Sequence, residues 1–164
     1  MALGAGVVSA HLPSIARRGR ARVHEGSELK LTVIAVGRLR PPYLDDVAHY
    51  ARLLSRHARL DLIEVREVQG AVRRVPRDAF VSLLDAGGSA YSSDAFAQWL
   101  EQRRQAGRDL AFVVGGAFGA PALDRVDHRL SLGTLTMAHQ LARVVLLEQL
   151  YRAHKILAGE PYHH

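Results

Sequence analysis

Two runs constrain this chain more than anything else in it: Leu29-Lys-Leu-Thr-Val-Ile-Ala-Val-Gly37 and Leu110-Ala-Phe-Val-Val-Gly-Gly116. Neither alternates apolar with polar residues as a half-exposed strand does, and both end on glycine. A strand that is apolar on both faces must be covered on both, which a parallel sheet flanked by helices provides.

The segments between these runs fit that plan. Residues 43–57 place Tyr43, Val47, Tyr50, Ala51 and Leu54 at helical spacing, with Asp45 and Asp46 in the first turn, where they complement the macrodipole. Leu60 to Val65 reads as a second strand and Ala79 to Asp85 as a third, ending at a glycine turn, Gly87-Gly88. Ser92 or Ser93 is positioned to cap a helix burying Phe96, Trp99 and Leu100 and stopping near Gly107. Leu110 to Val114 is the fourth strand. A helix is expected from Pro121 to about Arg129, a short fifth strand over Leu132 to Thr136, and a last helix over Ala138 to Ala158. Residues 66–78 have no clear period, carry Gly70 and Pro76, and cluster Arg73, Arg74 and Arg77, so they read as a basic loop. Strands alternating with helices predict an open parallel α/β sheet whose ligands bind beyond the carboxyl ends of the strands.

At 164 residues the chain suits one domain, read here as 29–164. Residues 1–28 mix glycine, proline and arginine without amphipathic period and predict either a disordered basic arm or a wrongly chosen start. Net charge is +6, carried almost wholly by arginine, since Lys30 and Lys155 are the only lysines. That balance suits a phosphate-bearing partner, and equally follows from a GC-rich genome. With no cysteine, disulfides and thiolate chemistry are excluded. No apolar run reaches the roughly 20 residues that span a bilayer, and no His, Asp and Glu cluster has metal-ligand spacing, so neither membrane nor metal is expected.

Chemistry concentrates in the last third. Gly115-Gly-Ala-Phe-Gly119 follows a buried strand, so its glycines permit close backbone approach to a ligand or simply a tight turn. It is neither a dinucleotide fingerprint, which belongs after the first strand, nor a phosphate P-loop, since no Gly-Lys-Ser/Thr follows. Leu132 to Met137 is suited to offering backbone groups to an adenine edge, or to being an ordinary strand. The polar face of the last helix carries His139, Arg143, Arg152 and Lys155, of which His139, Arg143 and Lys155 are candidate RNA contacts. Glu148 and Arg152 stand at i, i+4, the spacing of a helical salt bridge, leaving open whether Arg152 acts on a substrate. The apolar residues Leu141, Val144, Val145, Leu147, Leu150, Tyr151 and Ile156 exceed one helix face, which predicts a partner helix, most simply in a homodimer.

Taken together, Val114-Gly-Gly-x-x-Gly119, the run Leu135-Thr-x-x-His-Gln-x-x-Arg-Val-x-Leu-x-Glu-Gln-x-Tyr-Arg-Ala153 and the ending Pro161-Tyr-His163 resemble the RlmH family, ribosomal RNA large subunit methyltransferase H, within the SPOUT class. Leu31 to Gly37 and Leu62-Ile-Glu-Val65 match as well, so the resemblance covers about residues 29–164. It implies a cytoplasmic homodimer with a deep trefoil knot, an exception to unknotted topology. It also implies S-adenosylmethionine as cofactor, the ribosome as partner, and methylation of ring nitrogen 3 of a pseudouridine in helix 69 of 23S ribosomal RNA. By position, Leu84, Gly115, Leu132, Gly133, Thr134, Leu135, Thr136 and Met137 would hold the methyl donor. Arg152, Tyr162 and His163 would meet the target nucleotide across the dimer interface.

Three departures stand out. The helix that usually joins the second and third strands is expected to be missing from residues 66–78, Ala138 replaces the usual proline before the histidine, and His164 stands where a basic residue is common. The first departure opens a rival expectation: a degenerate SPOUT domain that binds RNA or dimerises without methyl transfer.

Overall fold

The computed structural model describes residues 28–162. The expectation for residues 1–28, apart from Glu28, and those for His163 and His164 lie outside the described residues. Five strands and four helices follow in the order β1 (Lys30–Val36), α1 (Tyr43–Leu54), β2 (Arg59–Val65), α2 (Val68–Arg74), β3 (Phe80–Ala90), α3 (Ser93–Gln105), β4 (Leu110–Val114), β5 (His128–Ser131) and α4 (His139–Leu157).

The strands form one sheet in the order β2-β1-β4-β3-β5, and every neighbouring pair is parallel. The two apolar runs are β1 and β4, which lie side by side at its centre. Their side chains alternate between two cores as the pleat requires. Leu31, Val33, Phe112 and Val114 face α1, α3 and α4, while Ile34, Val36 and Val113 join Val81 and Leu83 on the opposite face. Ser92 caps α3 by accepting a hydrogen bond from the Ala95 N–H, at 3.2 Å.

Four sequence expectations are corrected. The segment after β2 is not an irregular loop: Val68–Arg74 forms two turns of helix, so the connection to β3 is helical. Valine and glycine weaken its intrinsic signal, and packing decides instead. Ala71 is fully buried among the second core, and a β-carbon on Gly70 would stand 3.0 Å from that of Val65, so glycine lets the helix sit close to the sheet.

Residues 121–127 are not helical. They cross the second core in irregular conformation, with Leu123 and Val126 packed onto it. The Arg125 guanidinium donates to the carbonyls of Arg77 and Ala79, at 2.7 and 2.6 Å, and the Asp127 carboxylate accepts the Val81 N–H at 2.8 Å. These long-range bonds pin the segment against β3 and the residues before it, and tertiary contact overrides a weak local helical preference.

The fifth strand lies at His128–Ser131 rather than at Leu132 to Thr136. The Ser131 hydroxyl lies 3.1 Å from the Ala86 carbonyl and accepts the Gly133 N–H at 3.2 Å, which turns the chain out of the sheet.

Gly87-Gly88 is not a terminal turn either, because β3 continues to Ala90. Its pairing with β5 shifts register between Leu84 and Ser89, so residues 85–88 bulge. A β-carbon on Gly88 would stand 2.6 Å from the Arg129 carbonyl, an approach only glycine allows.

Candidate functional site

A cleft opens at the carboxyl edge of the sheet, where β4 and β5 end and β3 bulges. Its walls include Leu84, Gly115, Leu132, Gly133, Leu135, Thr136 and Met137, seven of the eight residues expected to hold the donor. Thr134, the eighth, is exposed and does not line it. His139, expected on RNA, instead lines the cleft beside Ala142. Its pKa is lowered, first by burial and then by nearby Arg143, so it is neutral at neutral pH and a poor phosphate ligand.

Backbone geometry forms the floor. Gly116 and Gly119 exchange N–H to carbonyl bonds, both 3.1 Å. A β-carbon on Gly115 would stand 2.4 Å from the Gly119 carbonyl oxygen, so this turn can close only over glycine. Opposite it, the N–H groups of Leu135, Thr136 and Met137 make no backbone hydrogen bond among the described residues. Helix α4 then starts at His139 with no side-chain cap, which leaves first-turn N–H groups at the cleft mouth. Leu84, Leu130, Leu132 and Met137 supply apolar walls. An apolar slot edged by free backbone donors suits a purine, whose flat faces want apolar contact and whose edge wants hydrogen bonds.

Asp85 also lines the cleft and was missed in the sequence, whereas Gly116 belongs to the glycine turn already marked there. The Asp85 carboxylate accepts the Gly87 N–H at 2.9 Å and Arg129 at 2.8 Å. These two bonds, in that order, hold its pKa below the usual carboxylate value, so it stays ionised at the rim. Its place two residues before the Gly87-Gly88 pair was the available signal.

Arg143, expected on an open polar face as an RNA contact, is buried instead. It is 4% exposed and donates to the carbonyls of Val36 and Gly37, at 3.1 and 2.7 Å, with Glu64 3.9 Å away. It ties α4 to the end of β1, and Gln140 adds a second tie by accepting the Arg40 N–H at 2.7 Å. Lys155 pairs with Glu160 just after α4.

Arg152 and Tyr162 come together, but away from the cleft. The Arg152 guanidinium donates to Glu148 at 2.6 and 3.0 Å and lies 4.2 Å from the centre of the Tyr162 ring. The Tyr162 pKa is raised, first by burial and then by Glu148, so its phenol stays protonated. Arg152 stands thirteen residues beyond His139 on α4, about 20 Å along a helix. One subunit therefore does not bring its own Arg152 to its own cleft by way of α4.

Among the described residues no helix is long and apolar enough to cross a membrane, and no group of three or more His, Cys, Asp or Glu could hold a metal.

Comparison with known proteins identifies the family. A family model described as a predicted SPOUT methyltransferase matches residues 29–163. Proteins named ribosomal RNA large subunit methyltransferase H are similar along nearly their whole length. The one from Gemmatimonas aurantiaca is 39% identical, with 82% of this chain and 99% of that one covered. For Acidiphilium cryptum the figures are 46%, 82% and 93%, and for Gloeobacter violaceus 42%, 83% and 99%. The fold, the cleft and these likenesses together make the chain a member of the ribosomal RNA large subunit methyltransferase H family, within the SPOUT methyltransferases.

Proposed function

We propose that this protein transfers a methyl group from S-adenosylmethionine to ring nitrogen 3 of a pseudouridine in helix 69 of 23S ribosomal RNA. It would act on the ribosome in the cytoplasm, as a homodimer whose carboxyl-terminal part forms a deep trefoil knot. The observation that carries this reading is the cleft itself: Leu84, Gly115, Leu132, Gly133 and Leu135 to Met137, scattered in sequence, converge on one apolar slot with free backbone donors. That donor set fits an adenosine, and the ionised Asp85 at the rim suits a ribose hydroxyl or the sulfonium charge.

When bound, S-adenosylmethionine supplies a methyl group already activated by its sulfonium charge. The chain's task is then to hold the donor still, align the acceptor and help one proton leave. Arg152 is suited to stabilising the negative charge that develops on the uracil ring, with Tyr162 as a neutral neighbour and His163 as proton acceptor or relay. Because Arg152 and the cleft of one subunit lie far apart along α4, a second copy delivering Arg152 is the economical arrangement. The exposure of Leu141 and Leu157 on α4, 39% each, supports an unfilled helix partner.

The rival reading, a degenerate domain without transfer, rested on a missing crossover helix. Helix α2 removes that premise. Calorimetry with S-adenosylmethionine separates the two: micromolar binding at one site per subunit supports the enzyme, and no binding at millimolar donor supports the degenerate domain.

A further inference from the structure

Phe118 is the most exposed large apolar residue described, at 105% of its reference accessibility. It stands at the tip of the turn closed by the reciprocal Gly116 and Gly119 bonds. The base of that turn is seated on the sheet, since a β-carbon on Gly116 would lie 3.1 Å from the Val36 side chain and 3.3 Å from its carbonyl oxygen. The ring is thus held in water on a braced support.

The same edge carries three exposed arginines. The Gly37 N–H donates to the Val65 carbonyl at 2.8 Å, which ties the ends of β1 and β2 and brings Arg38 and Arg66, the residues after Gly37 and Val65, to adjacent strand ends. Arg40 follows, its backbone held by Gln140. Among the described residues none of these three guanidinium groups is in an ion pair. Two carboxylates of this edge are engaged elsewhere. Glu64 accepts the Leu39 N–H and faces Arg143, and Asp85 is held by Arg129. Glu67, beside Arg66, is the acidic residue left nearby.

An exposed aromatic ring on an edge that also carries unpaired arginines is the combination that holds single-stranded RNA: a base stacks on the ring while guanidinium groups meet the phosphates. A second copy docked on this edge about a twofold axis would instead bring like charges together. We infer that Phe118, with Arg38, Arg40 and Arg66, forms an RNA-holding surface beside the donor cleft, where a nucleotide flanking the target stacks on Phe118. This rests on the RNA methyltransferase reading and adds residues on the RNA side that the tail around Arg152 does not supply.

The test is steady-state methyl transfer to ribosomes lacking the modification, using Phe118→Ala, Phe118→Trp and the double variant Arg38→Ala/Arg66→Ala. Phe118→Ala is expected to raise KM for the ribosome about tenfold, with Phe118→Trp close to the parent. The double variant should raise KM similarly and flatten its salt dependence. Donor affinity by calorimetry and mass by sedimentation should stay as in the parent. If the parent is active and neither Phe118→Ala nor the double variant changes KM, the surface is refuted while the methyltransferase reading stands. A Phe118→Ala variant that dissociates, or that loses the donor, also refutes it, making the ring a subunit contact or part of the donor site. A parent chain that methylates no ribosomal RNA overturns the underlying reading and this surface with it.

Discussion

Arg143 donates to the carbonyl of Gly37 at 2.7 Å, across 106 residues of sequence, and so fastens the start of α4 to the end of the first strand. The cleft depends on that fastening, because His139 and Ala142 line it from the same turns of helix. Removing the side chain leaves two carbonyls without their donor in a buried site. Arg143→Ala is therefore expected to lower stability by about 2–4 kcal/mol, measured by urea denaturation. A change below about 0.5 kcal/mol would mean that Arg143 is not a structural tie.

Ala138 departs from the proline usual in the family, yet its φ is −57°, inside the range to which proline is locked. Its N–H makes no backbone hydrogen bond among the described residues. Ala138→Pro should thus be accepted without strain and raise stability by about 0.4–1 kcal/mol through the unfolded state. Thermal unfolding checks the gain, and calorimetry should find donor affinity unchanged. A loss of either would mean that the loop needs a conformation proline forbids.

His154 stacks on His57 at 5.6 Å between ring centres, and its Nε2 is buried without a hydrogen-bond partner among the described residues. Burial chiefly, then His57 and Arg104, lower its pKa from 6.5 to about 4. The unfolded chain therefore binds the proton more readily than the folded one between those values, and stability rises with pH there. Lowering the pH from about 6.5 to 4 should remove about 3 kcal/mol through His154. His57, also lowered by burial, adds in the same direction. Urea titrations across that window should be flatter for His154→Leu. Equal slopes for both proteins would contradict this origin.

Arg152 lies against Tyr162 and Glu148, outside the cleft of its own subunit. If it stabilises the uracil anion, Arg152→Ala should cut turnover by about a hundredfold or more. Donor affinity should change little. Single-turnover transfer and calorimetry on the same variant decide it, and parallel losses in both would remove Arg152 from the chemistry.

Much of this was legible in the sequence where local pattern and global fold agree. The apolar runs of β1 and β4 are read as buried parallel strands because nothing else accommodates them, and the Ser92-Ser93 pair announces α3 by its capping chemistry, with the structure choosing Ser92. What failed depends on distant partners. Residues 121–127 have helical composition, but Arg125 and Asp127 spend their side chains on the backbone of residues 76–81. Helix α2 has a weak local signal and forms because Gly70 and Ala71 fit the sheet. The donor residues were reached through the motif resemblance. Arg143 looked like an open cation since neither the carbonyls it serves nor its burial can be seen one-dimensionally.

The most direct test is to incubate the purified protein with S-adenosylmethionine and ribosomes lacking the modification, then analyse the helix 69 fragment of 23S ribosomal RNA by mass spectrometry. One added methyl group is expected, on ring nitrogen 3 of a pseudouridine, and none without the donor. An unmodified helix 69 under conditions where the protein binds S-adenosylmethionine would contradict it.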